Sequence, residues 1–367
     1  MLRFAARAAS ALALAGALVL AATAPAPADP TVTPNAQDLV GLGAQATEGL
    51  FTQLSGEYNA SLAAAGDVTS SRLHSWDSSG TSNVIVPKYG ATTIYRPWST
   101  DTGLKALTYN TKDTVDFVRA TRPPKPTDPV DGPTNLPLSF IAVAKDAVSW
   151  AAPAGGNAPT TLTPAQLTAI FSCKTTRWSQ ISPLLPNTVI RPVVSGDVTV
   201  DYYGVHGTGL DATGFFLEKI GYAQAVQDLT FDHSCVSVVA RENQGTDPIL
   251  QNPDALVPYS VGRYVGQAYG GHSTPGDEPG VLTPRAINGV VPVTTAHVIN
   301  PAFTATPFGR MLSAVVRPTE WTAQDAHGTA LRAVFGPSGW ICQQGQAVVS
   351  GHGFQSLPSF VCGTIVH

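Results

Sequence analysis

Charge is scarce in this sequence. Asp, Glu, Lys and Arg make up 13% of its 367 residues, about half the usual share in a globular protein. Acids outnumber bases 25 to 21, so nothing here resembles the basic stripe that nucleic acid or an anionic membrane surface requires. The spacings C-x-x-C and H-E-x-x-H are missing, and the eight histidines show no metal-like spacing, which speaks against zinc and against any resident metal. There is no G-x-S-x-G elbow, no Walker loop and no evident general acid and base pair, so the common hydrolase and nucleotide-dependent classes are not supported. After the first thirty residues no apolar run reaches spanning length.

What is present starts with a leader. Arg3 and Arg7 precede an apolar run from Ala11 to Ala22, and Ala24-Pro25-Ala26-Pro27-Ala28 follows, which reads as a secretory signal over residues 1–28 with a cut after Ala28. No Cys follows the run, so no lipid attachment is expected there. The expected product is exported, secreted or held in the cell envelope. Removing the leader leaves 19 basic and 25 acidic side chains, a net charge of −6. The length suits two domains or one large two-lobed unit. With 34 Gly and 30 Pro, long loops between well-buried elements are expected. Four cysteines go with an oxidising compartment and allow three pairings. The pairing Cys173–Cys235 with Cys342–Cys362 is preferred, because each joins sequence neighbours and the two then fall in different halves.

Strands and helices alternate. "DLVGLGAQATEGLFTQLSGEYNASLA" reads as strand, Gly-containing turn and a helix with Leu50, Phe51, Leu54 and Tyr58 on one face. "SNVIVPKYG" and "TVDFVRATRPP" read as strands, "STDTGLKALTY" as a polar turn opening a helix, and "LSFIAVAKDAVSWAA" as a buried strand. "TLTPAQLTAIF" carries a Thr cap signal with Pro164 near the first helical position. "HVINPAF" and "LSAVVRP" are further strand candidates. The class is α/β, with ligand turns expected at the carboxyl ends of strands. The turn "RENQGTD", Arg241 to Asp247, reads as solvated, and "NAS" at Asn59 is a glycosylation sequon by pattern alone.

Several segments, "GLGAQATEGLFTQLSGEYN", "VDFVRATRPP", "FIAVAKDAVSWAA", "LTPAQLTAIFSCKTTRWSQI", "GFFLEKIG", "VPYSVGRYVGQA" and "GWICQQ…GFQSLPSFVCG", occur in an order that resembles the phosphate-binding substrate-binding proteins of phosphate ABC transporters. The resemblance covers nearly the whole mature chain. It implies the two-lobed type II periplasmic-binding-protein fold with two chain crossovers, one lobe over 36–145 plus 263–367 and the other over 146–262. It also implies a non-enzymatic monomer that needs no cofactor, captures phosphate or a related oxyanion between its lobes and delivers it to ABC permease subunits.

Such a site holds an oxyanion with backbone N–H groups at helix N-termini, helped by hydroxyls and an Arg. The corresponding turns here are Ala44, Gln45, Ala46 and Thr47; Ser99, Thr100 and Asp101; Arg122; and Thr208, Gly209, Asp211, Ala212 and Thr213. Their chemistry departs from the family pattern. Counting back from "FFL" places the family's Gly-Ser-Gly-Thr on Gly209, Leu210, Asp211 and Ala212, while a shifted alignment uses Gly207, Thr208 and Gly209. An inward Asp about 5 Å from phosphate repels it by roughly 3 kcal/mol at an effective dielectric of about 20. Arg122, if inward, compensates, and Asp101 or Asp211 becomes the acceptor of the phosphate proton. The blander reading makes Asp211 a helix cap and Arg122 the partner of a surface acid. Two alternatives remain beside phosphate transport: a secreted binding or interaction protein with an altered ligand, such as a phosphate ester, and a secreted phosphatase on the same fold.

Overall fold

The computed structural model describes residues 29–80, 82–196, 211–222, 234–239, 241–274 and 276–366. The leader and two site candidates, Thr208 and Gly209, lie outside the described residues. Among the described residues, one ten-stranded sheet runs through both halves. In its first half, β1 (Leu39–Gly43) pairs in parallel with β2 (Leu73–Ser75) and with the strand Phe117–Ala120. Two short hairpins decorate this half: β3 (Val84–Ile85) with β4 (Ile94–Tyr95), and, beyond β5 (Phe117–Ala120), β6 (Val130–Asp131) with β7 (Leu136–Pro137).

The halves share β8 (Ser139–Pro153), whose fifteen residues are buried except at Lys145. Its near-continuous apolar run is the signature of a strand covered on both faces. Past β8 come β9 (Thr161–Leu162), β10 (Arg191–Ser195), β11 (Ser237–Val239), β12 (Ala255–Ser260), β13 (Leu282–Pro284), β14 (Ala286–Ile287), β15 (Gly309–Val316) and β16 (Ile365–Val366). The amino-terminal end of β8 pairs with β15, and its carboxyl-terminal end with β12 and β13. The main path is β11-β10-β12-β8-β15-β5-β1-β2.

The cores divide at the same place. Phe140, Ile141, Val143 and Ala144 of β8 pack with the first half, whereas Ala147, Val148, Trp150 and Ala152 pack with Phe171, Trp178, Phe216 and Phe303 in the second. Ile287, Ile299, Phe303 and Phe308 belong to the second core. Gly309 opens β15, which pairs with β5 of the first half.

The helices are α1 (Glu48–Ala64), α2 (Thr100–Tyr109), α3 (Pro164–Phe171), α4 (Asp211–Lys219), α5 (Val261–Tyr269) and a turn of helix at Pro301–Thr304, followed by short helices in the last fifty residues. α3 starts as its sequence dictates: Thr163 Oγ1 accepts from Gln166 N at 3.2 Å and Gln166 Oε1 accepts from Thr163 N at 2.8 Å, a reciprocal cap. "HVINPAF" corrects the strand expectation. Asn300 Oδ1 accepts from Ala302 N at 3.0 Å and Pro301 holds the first helical position, so local capping wins over the apolar residues around it. Asn59 has its amide on the Leu73 backbone, donating to O at 2.8 Å and accepting from N at 2.9 Å, which leaves the sequon side chain engaged. The disulfides Cys173–Cys235 and Cys342–Cys362 are both formed.

Candidate functional site

Parallel strands β1, β5, β10 and β11 all point their carboxyl ends at the seam between the two halves, where ligands bind in open α/β sheets. β1 leaves through Gly43, whose φ of 116° suits glycine; a Cβ there would lie 2.8 Å from Arg119 O. The following Ala44, Ala46 and Thr47 are buried, and Ala44 O accepts from Thr47 Oγ1 at 3.2 Å. Gln45 instead spans the seam, its Oε1 accepting from Glu242 N at 2.9 Å.

α2 presents its first turn to the seam because Ser99 and Thr102 cap each other. Ser99 Oγ accepts from Thr102 N at 3.2 Å and Thr102 Oγ1 accepts from Ser99 N at 3.0 Å. Thr100 Oγ1 accepts from Thr121 N at 3.1 Å, tying this turn to the end of β5. Thr100 N points across the seam and donates to both carboxyl oxygens of Asp211, at 3.2 and 3.1 Å. Gly103 lets α2 pack closely on β5 and β1 of its own half: a Cβ there would meet Val118 Cγ1 at 2.6 Å and Gly43 Cα at 3.2 Å.

α4 mirrors this arrangement from the other half. Thr213 Oγ1 accepts from Ser195 N at 3.2 Å, fixing the helix to the end of β10, and Ala212 N donates to Glu242 Oε1 at 2.5 Å. Asp211 is the first residue of α4 rather than the residue before it. Its backbone oxygen accepts from Arg310 Nη1 at 3.1 Å. Arg310 and Asp146 stand opposite each other on β15 and β8, both fully buried, with Arg310 Nη2 at 2.9 Å from Asp146 Oδ2. Asp146 also accepts from Ser260 Oγ and from Gly262 N at the start of α5. One ion pair thus fastens the crossing strands, α4 and α5 together under the seam.

The structure brings Gln45, Thr100, Asp211, Ala212 and Thr213 together. Asp101 and the buried Arg122 pair with each other: Arg122 Nε reaches Asp101 Oδ1 at 2.9 Å, and its two Nη atoms grip Asp128 bidentately at 3.0 and 2.5 Å. Two carboxylates therefore already share the Arg122 charge. The central acid that sequence reasoning set aside is Glu242, taken there as part of a solvated turn. It is 4% exposed. An Arg-Glu-Asn triplet just past a parallel strand, in a chain so poor in charge, was the available signal. Arg119 was missed too: fully buried, it donates to Gly43 O, Ala44 O, Ser75 Oγ and Trp76 O, placing a positive charge beneath the first turn of α1.

Burial, reinforced by repulsion from Asp211, pushes Glu242 up to about 8 against the pull of Arg310. Burial and then Glu48 push Asp77 up to about 8. Burial and then Asp101 raise Asp211. Between the ordinary carboxyl range and about 8 the folded chain thus holds protons that the unfolded chain has released, so stability falls as pH rises through that window. Buried His352 and His272 resist protonation and act with the opposite sign below about pH 6.5, so the test window lies above it: denaturant midpoints are expected to decrease from about pH 7 to about pH 8, and Glu242→Gln is expected to flatten part of the slope; a midpoint that rises over that window contradicts this charge assignment.

A family model described as the PBP superfamily domain matches residues 41–200. Among solved structures, the chain is similar to an ABC-type phosphate transport receptor from Vibrio cholerae, with 12% identity, a TM-score of 0.54, and coverage of 88% of this chain and 100% of that one. It is similar also to a Clostridium perfringens protein described as a phosphate ABC transporter substrate-binding protein with bound phosphate, with 13% identity, a TM-score of 0.54 and the same two coverages. No curated protein matches the chain.

Proposed function

We propose that this chain, which has the two-lobed type II periplasmic-binding-protein fold, captures an oxyanion between its lobes, inorganic phosphate first, and passes it to an ABC permease outside the cytoplasm. One observation carries the reading: the first turns of α2 and α4, from opposite lobes, face each other across the seam and each already has a carboxyl group on its free N–H. Helix N-termini select negative oxygen atoms through oriented N–H groups and the helix dipole. A charge-assisted hydrogen bond contributes roughly 1.5–3 kcal/mol, so Thr100, Ala212 and Thr213 together suffice for a tight site without a metal. Glu242, in its ionised form, would accept the proton of hydrogen phosphate, and that proton separates phosphate from sulfate.

The departures favour a second reading, a secreted binding protein whose ligand is another anion. Its support is the pairing of Arg122 with Asp101 and Asp128, which removes the one site arginine expected from sequence. Calorimetric titration of the mature, ligand-stripped protein with phosphate, sulfate and a phosphate monoester separates these. Phosphate binding with sulfate excluded is the expected result. Preference for the unhydrolysed monoester would favour the altered ligand, its hydrolysis would move the reading to an enzyme, and no heat with any oxyanion would contradict anion capture.

A further inference from the structure

The seam is already occupied by the chain itself. Asp211 is 7% exposed and belongs to α4 of the second lobe, yet both its carboxyl oxygens lie on the α2 N–H of the first lobe, at 3.2 and 3.1 Å. On the facing helix Glu242 Oε1 takes the N–H of Ala212, while the backbone of Glu242 holds Gln45 of the first lobe. A bound oxyanion would need these same N–H groups. Beside them are groups left without partners among the described residues: the second carboxyl oxygen of Glu242, on a side chain 4% exposed, and the hydroxyl of the fully buried Thr121, whose own N–H is bonded to Thr100. A buried carboxyl oxygen and a buried hydroxyl left unsatisfied are costly. They sit on the residues that hold Ala212 N and Thr100 Oγ1, where a ligand bearing both acceptor oxygens and a proton would satisfy them.

We propose that Asp211 is a resident competitor for the solute: its carboxyl group latches the second lobe onto α2 in the empty protein, and an entering oxyanion must displace it. The proposal rests on the reading that the N-termini of α2 and α4 form the oxyanion site. Asp211 then sets the solute concentration at which the protein loads, because every binding event breaks an internal hydrogen-bonded pair before making an external one. Arg310 keeps the backbone of Asp211 in place through its carbonyl oxygen, so removal of the side chain frees Thr100 N without releasing the helix.

Asp211→Ala is therefore expected to bind phosphate about tenfold more tightly than the wild type, the value of one hydrogen bond no longer in competition. Asp211→Asn, which keeps the shape and serves if the alanine variant does not fold, is expected to change affinity in the same direction by less. Small-angle scattering supplies the second readout: without phosphate the variant should have a larger radius of gyration than the wild type, and phosphate should restore the compact value. Unchanged or weaker phosphate affinity in both variants would overturn the competitor and make Asp211 an acceptor for the ligand or a simple cap. An unchanged radius of gyration in the ligand-free variants would overturn the latch. If no form binds phosphate the oxyanion reading fails, and the scattering still decides whether Asp211 holds the lobes together.

Discussion

Replacing Asp146 by Ala is expected to lower the free energy of unfolding by about 3–5 kcal/mol, the cost of stranding a buried charge. Arg310 would remain fully buried, having lost the carboxylate that takes its Nε and Nη2 at 3.1 and 2.9 Å. The α5 start would also lose the acceptor for Gly262 N. Few single changes reach this size, and those that do remove buried partners or open cavities. The pair matters for function through its position. Asp146 lies where β8 passes from one core to the other, and Arg310 reaches on to the backbone of Asp211. A double replacement by Leu and Met should recover most of the stability, since well-packed apolar residues often substitute for a buried ion pair. It should nevertheless impair solute binding, because the link to α4 is lost. Urea denaturation of the two variants checks the first part; a loss below about 1 kcal/mol for Asp146→Ala would mean that water reaches the pair.

The second large effect is expected from the disulfides. Cys173 and Cys235 are 62 residues apart in sequence, and Cys342 and Cys362 are 20 apart. Chain-entropy reasoning gives about 4 kcal/mol for the longer loop and about 3 kcal/mol for the shorter. Paired Cys→Ser replacement at 173 and 235 should thus cost more than the same change at 342 and 362. The longer bridge ties the end of α3 to the start of β11, two elements whose separation in sequence leaves the second lobe dependent on a covalent tie. Denaturation of each paired variant, compared with the reduced wild type, measures both terms; equal midpoints for oxidised and reduced protein would contradict them.

The fold was legible wherever local chemistry decides. Thr163, Pro164 and Gln166 announce the start of α3, and the apolar run around Trp150 announces a strand covered on both faces. Where tertiary pairing decides, the sequence was silent. Asp128 lies in a Pro-rich loop without periodicity, so the pairing of Arg122 with an acid there stands in the sequence only as the blander of two readings, beside a place in the cleft. Asn300 and Pro301 do form a cap signal, but the apolar residues around them read first as a strand. In the site, the turns at Gln45, Thr100 and Asp211 could be placed by order along the chain. Glu242 and Arg119 could not, because their importance comes from burial between strands that are far apart in sequence.

The most direct measurement is a crystal structure of the mature protein soaked with arsenate, a phosphate analogue located by its anomalous scattering. A single peak within hydrogen-bonding distance of Thr100 N and Ala212 N, with the Asp211 side chain moved off Thr100, is the predicted result. An arsenate peak elsewhere on the molecule, with Asp211 still on Thr100 N, would contradict oxyanion capture at this seam.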